Sequence, residues 1–97
     1  MANTLFDKNY ATALSNIFFD KLEEKGSTLE KLAIATGVKY NTLFRYMKGS
    51  RQMPIDLFQK ICEYLDLNFA DTFRLVNQIA VEATVNEYIL TYSMDEK

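Results

Sequence analysis

Asn41 and Arg45 stand four residues apart in the stretch YNTLFRYMK, Tyr40 to Lys48. On a helix that spacing sends both side chains out of the same face. Their chemistry is specific. An arginine fork matches the two acceptors on a guanine edge, and an asparagine amide can pair with adenine through two hydrogen bonds. Tyr40, Phe44 and Lys48 share that face, while Leu43, Tyr46 and Met47 fall on the opposite one. The first set is basic, polar and aromatic, and the second is the natural core side. Lys39 and Arg51 flank the helix at its two ends, where the phosphates beside a groove would run. Phe44 is the odd member. It could meet thymine methyl groups, stack on Tyr40 one turn earlier, turn inward onto the next helix, or receive a protein partner.

The charge map agrees. The chain of 97 residues has a formal net charge of −2, but from Lys31 to Pro54 it holds five basic residues and no acidic one. The rest carries six basic and thirteen acidic residues, a balance of −7. A local field of one sign governs which partner approaches, more than the sum does. The pattern points to a polyanion.

Composition narrows the alternatives. There is no histidine and one cysteine, Cys62. The commonest general base and metal ligand is missing, and an internal disulfide cannot form. Cys62 is read as core filling. The three glycines, Gly26, Gly37 and Gly49, are too far apart for a phosphate-cradling loop. We expect no enzyme, no metal and no cofactor. No apolar run approaches the ~20 residues of a membrane span, and the first residues lack a signal-peptide layout, so a cytoplasmic protein is expected.

The length suggests one domain over residues 1–97. The first nine residues read as a loose arm. Tyr10, Leu14, Ile17, Phe18 and Leu22 recur at helical spacing and predict a first helix over 10–25, ended by Gly26. Ser27 and Glu30 form a capping-box pattern for a second helix reaching Thr36, with Gly37 supplying a left-handed turn. A third helix spans Tyr40 to Lys48 and stops at Gly49. Pro54 suits the first position of a fourth, with Leu57, Phe58, Ile61 and Leu65 inward. After Asp66-Leu67-Asn68 a last segment runs from Phe69 to Tyr92, helical by its Phe69, Phe73, Val76, Ala80 and Ala83 face. A terminal strand over Val85–Tyr92 is the alternative. Residues 10–68 then form a core and 69–97 a C-terminal extension. Val81, Val85, Tyr88 and Tyr92 make a second apolar stripe on that extension, which we read as the contact of a two-fold homodimer.

Two short helices joined at Gly37 through three residues make a helix-turn-helix, whose second helix lies in the major groove. Here the sequence resembles the Cro/lambda-repressor-like, or XRE, family. The resemblance rests on Leu32-Ala33, Gly37, Val38, Leu43, Tyr46, Gly49, Arg51 and Pro54, then Leu57, Ile61 and Leu65-Asp66-Leu67, within Thr28 to Leu67. It implies an all-α bundle of five, or six, helices with an extended C-terminal helix, binding double-stranded operator DNA as a dimer. By resemblance, Lys39, Tyr40, Asn41, Phe44 and Arg45 meet bases or flanking phosphates. Thr28, Lys48 and the backbone around Gln52 and Met53 hold phosphates. The chain departs from the family where a glutamine often opens the second helix, here Leu29, and where a serine or threonine often caps the third, here Lys39. A frequent glutamate–arginine pair is replaced by Met47 and Leu22. Apolar groups in place of a buried ion pair are commonly neutral or stabilising. The expected function is a repressor-like transcriptional regulator of phage or prophage type. Base readout falls to Tyr40, Asn41, Phe44 and Arg45, and backbone contacts to Thr28, Lys39, Lys48, Arg51 and Gln52. The alternative is a protein-interaction module on the same fold, an antitoxin, antirepressor or adaptor, favoured by an exposed Phe44 and Leu29.

Overall fold

The computed structural model describes residues 4–95, with side chains described as far as Thr91. Five helices make up these residues: α1 (Leu5–Lys25), α2 (Leu29–Thr36), α3 (Tyr40–Lys48), α4 (Ile55–Tyr64) and α5 (Phe69–Asp95). Neither a sixth helix nor a terminal strand occurs among them, and Val85–Tyr92 is helix.

Helix α1 begins one and a half turns earlier than its apolar period implies. Thr4 has extended backbone and its side chain accepts from the Asp7 amide at 3.0 Å, a complete N-cap. The Phe6 ring then packs 6.2 Å from Tyr10, and the Asn9 amide donates to Thr84 at 2.9 Å and to Glu87 at 3.3 Å on α5. The expected loose arm is therefore, from Thr4 on, part of the helix. The second helix is capped by Thr28, which accepts from the Lys31 amide. Ser27, the expected cap, instead shares a 2.6 Å hydrogen bond with the Tyr64 hydroxyl. Pro54 is the N-cap of α4 rather than its first helical residue, with ψ at 146°.

The first four helices end alike. After α1, α2 and α3 a glycine at positive φ lets the next amide reach back five residues: Ser27 to Leu22, Val38 to Ala33, Ser50 to Arg45. After α4 the same motif forms on Asp66, at φ 59°, with Leu67 bonding to the Cys62 carbonyl at 2.8 Å. Each motif satisfies carbonyls that the helix end leaves without partners and turns the chain sharply.

The core gathers the inward faces of all five helices. Leu14, Phe18, Leu22, Leu32, Leu43, Met47, Phe58, Ile61, Leu65 and Val76 are buried in one cluster. Phe58 is its aromatic centre, with ring centroids 5.1 Å from Phe18, 5.8 Å from Phe69 and 5.4 Å from Phe73. Leu22 and Met47 both belong to this cluster, consistent with apolar packing in place of an ion pair. Leu29, expected to be exposed, is half-buried and packs against it. Helix α5 rests on α1 and α4 through Thr72, Val76 and Ala80. At 27 residues it is about 40 Å long, most of the 52 Å length of the molecule. From Val85 to Thr91 every residue is exposed.

Candidate nucleic-acid interface

The corner between α2 and α3 is fixed from below. Leu32, Ala33 and Leu43 are buried and Val38 packs on the same core. Ala33 gives α3 room to approach, and Gly37 at φ 75° makes the turn. With Leu43 and Met47 held inward, the remaining residues of α3 have one way to face. Tyr40, Asn41, Phe44, Arg45 and Lys48 are all exposed. Phe44 does not turn onto α4. Its ring stacks on Tyr40 at 6.2 Å, 8° from parallel, and the Lys48 ammonium lies 5.2 Å from its centroid.

The electrostatics of α3 differ from those of its neighbours. Helices α1, α2, α4 and α5 carry Asp7, Glu30, Asp56 and Asp71 in their first turns, as the positive end of a helix dipole favours. Helix α3 has no acid there; Lys39 is its N-cap and offers no side-chain acceptor. Its first amides are left to another acceptor. Arg45 and Lys48 stand in its last turn. Lys31, Lys39, Arg45, Lys48 and Arg51 are all exposed, and among the described residues none pairs with a carboxylate. The ion pairs that do form, Lys21–Glu24, Lys25–Asp66 and Arg74–Asp71, lie outside that stretch.

The loop after α3 carries Ser50, Arg51 and Gln52, all exposed, between two anchors. Met53 is buried in the core. Gly49 sits where a Cβ would come within 2.8 Å of Ala11. Thr28 is exposed at the start of α2 with its oxygen already accepting from Lys31; its hydroxyl proton is free to donate outward. An exposed arginine fork and amide on a projecting helix, flanked by unpaired cations, can hydrogen-bond base edges and neutralise phosphates.

Sequence reasoning passed over Ile34. It is 82% exposed and lines a shallow groove at the corner with Val38 and Tyr40. Hydrophobicity gave no sign of it, because Leu29, Leu32 and Ala33 already account for the inward face of α2. On α5, Val81, Val85 and Tyr88 are exposed, on a different part of the molecule from α3; the side chain of Tyr92 lies outside the described residues. Among the described residues no cluster of His, Cys, Asp and Glu could hold a metal, and no helix is long and apolar enough to cross a membrane.

A helix-turn-helix in a five-helix bundle, with a basic outward face on its second helix, defines a class of nucleic-acid-binding domain. The chain belongs to the Cro/C1-type helix-turn-helix DNA-binding domain family, whose model matches residues 20–78. Among solved structures it is similar to the clp gene regulator ClgR from Corynebacterium glutamicum, with a TM-score of 0.69 and 21% identity over 95% of this chain and 93% of that one. A second structure of that regulator aligns with a TM-score of 0.58 and 24% identity over 76% and 91%. At these identities the likeness establishes the fold. No curated protein matches the sequence significantly.

Proposed function

We propose that this protein is a sequence-specific, repressor-like transcriptional regulator that acts in the cytoplasm and binds operator DNA as a homodimer. In this reading residues 1–97 act as one domain. Residues 10–68, together with the first turns of α1, present the reading head, and residues 69–97 the dimer contact. Helix α3 enters the major groove, with Asn41 and Arg45 reading base edges and Tyr40 and Phe44 beside them. Thr28, Lys39, Lys48, Arg51 and Gln52 hold phosphates. Val81, Val85, Tyr88 and Tyr92 join two copies, so that two α3 helices reach successive major grooves.

One observation carries the reading: the five exposed cations between Lys31 and Pro54 have no carboxylate partner among the described residues, although the chain as a whole is acidic. Unpaired like charges repel one another in the free protein, and a phosphate backbone offsets that repulsion on binding. Selection of bound duplexes from a random library tests it. The expected product is a pseudo-palindrome with half-sites about 34 Å apart, one helical turn.

A second reading is favoured by Ile34. Its side chain, with those of Tyr40 and Phe44, gives the corner an exposed apolar content that DNA backbone contacts do not require. A protein partner docking there, as on an antitoxin or adaptor, would use it. Failure of the library to enrich any sequence, with saturable binding to a purified protein partner blocked by Ile34→Asp, would favour this reading over the first.

A further inference from the structure

The outer face of α3 has two parallel rows. Asn41 and Arg45 form the polar one. Tyr40, Phe44 and Lys48, each four residues from the next, form the other. In that second row Phe44 is held from both ends, by the Tyr40 ring stacked at 6.2 Å and 8° and by the Lys48 ammonium 5.2 Å from its centroid. It is still 41% exposed. A ring fixed before binding loses little rotamer freedom on contact.

Phe44 has no donor or acceptor. Pressed against the hydrogen-bonding edge of a base it would strand polar groups, which is costly. The apolar feature that the major groove offers is the C5 methyl group of thymine. We infer that Phe44 reads a pyrimidine 5-methyl group, so that each half-site holds a thymine facing it and 5-methylcytosine serves in its place. The inference rests on the reading of α3 as the groove helix. Thymine and 5-methylcytosine carry the methyl at the same ring position, and they differ in an exocyclic group that a phenyl ring does not hydrogen-bond. An apolar protein surface is a poorer occupant, because Lys48 at the ring, and the exposed Lys39 and Arg45 elsewhere on the same short element, would be desolvated without carboxylates to meet them.

The consequence is regulatory. Where the facing position is cytosine, methylation of that cytosine strengthens binding instead of blocking it.

The test uses the full chain and the duplex enriched by library selection. Uracil replaces each thymine in turn, which removes one methyl and leaves the pairing intact. At one thymine per half-site the affinity should fall about fourfold, the ~0.8 kcal/mol of one buried CH2. At that position 5-methylcytosine should bind about fourfold tighter than cytosine. With Phe44→Ala, thymine and uracil should bind alike. The side chain is partly solvated in the free protein, and an unchanged thermal melt verifies that the variant folds. Wild-type indifference to uracil at every position, or the same sensitivity in Phe44→Ala, overturns the methyl readout while operator binding stands. A library that enriches nothing overturns both.

Discussion

Gly49 and Ala11 lie so close that a Cβ on Gly49 would sit 2.8 Å from the Ala11 Cβ. The last turn of α3 therefore rests directly on α1, and the loop that follows, with Arg51 and Gln52, takes its height from that contact. Gly37 has nearly the same backbone, φ 75° against 82°, but open space where its Cβ would be. The two glycines separate strain from crowding. Gly37→Ala bears only the left-handed penalty, about 1–2 kcal/mol. Gly49→Ala adds the displacement of a helix, another ~1–3 kcal/mol. Urea denaturation of both variants should show Gly49→Ala the less stable. Equal losses would mean that α1 and α3 part without cost.

Removal of charge should sort the cations by role. Arg45→Ala is expected to cost about 1–3 kcal/mol on the selected site and to relax preference at one base. Arg51→Ala should weaken all sequences alike and reduce the slope of log affinity against log salt by about 1. Titrations of matched and scrambled duplexes at several salt concentrations measure both. Identical behaviour of the two variants would contradict the assignment of roles.

Val85 is exposed on α5, on the stripe it shares with Val81 and Tyr88. If its stripe joins two copies, wild-type protein should be dimeric by light scattering, with a melting temperature that rises with concentration. Val85→Asp should be monomeric, with a concentration-independent melt and helix content retained. A monomeric wild-type protein at all concentrations would rule out the α5 contact.

Burial pushes the Cys62 thiol from its usual 9.0 up to about 11, with a hydrogen bond to Thr72 acting in the opposite direction. Between those pH values the unfolded chain releases a proton that the folded chain keeps. The contribution is thus fully present below pH 9 and is lost as pH rises toward 11. Lysines and tyrosines titrate in the same range, so Cys62→Ala is the reference. The stability difference between wild type and Cys62→Ala should shrink across this window; a constant difference would contradict a buried, neutral thiol.

Much of the fold was legible because its signals are local. Gly26, Gly37 and Gly49 mark three helix ends, and Leu43 and Met47, four apart, turn the rest of α3 outward. The misreadings have two sources. The start of α1 has local signals of its own, since Thr4 and Asp7 form a cap and Phe6 precedes Tyr10 by one turn, but the regular apolar spacing begins only at Tyr10. Other features depend on distant partners. Ser27 and Thr28 are adjacent hydroxyls, and Tyr64, 37 positions away, decides which of them caps α2. Asp66 takes a conformation usually left to glycine, and its carboxylate meets Lys25 across the fold at 3.3 Å. The outward face of α3 was legible for the same reason as its inward one. The support beneath the Arg51 loop was not, since the Gly49–Ala11 contact joins residues with no pattern in common.

Mapping amide chemical shifts while a selected duplex is titrated into labelled protein tests the central claim most directly. The account predicts that the largest changes fall at Thr28, along Lys39 to Lys48, and at Arg51 and Gln52, with the outer face of α1 unmoved. Saturable changes on α1 or α5 with α3 silent would contradict it.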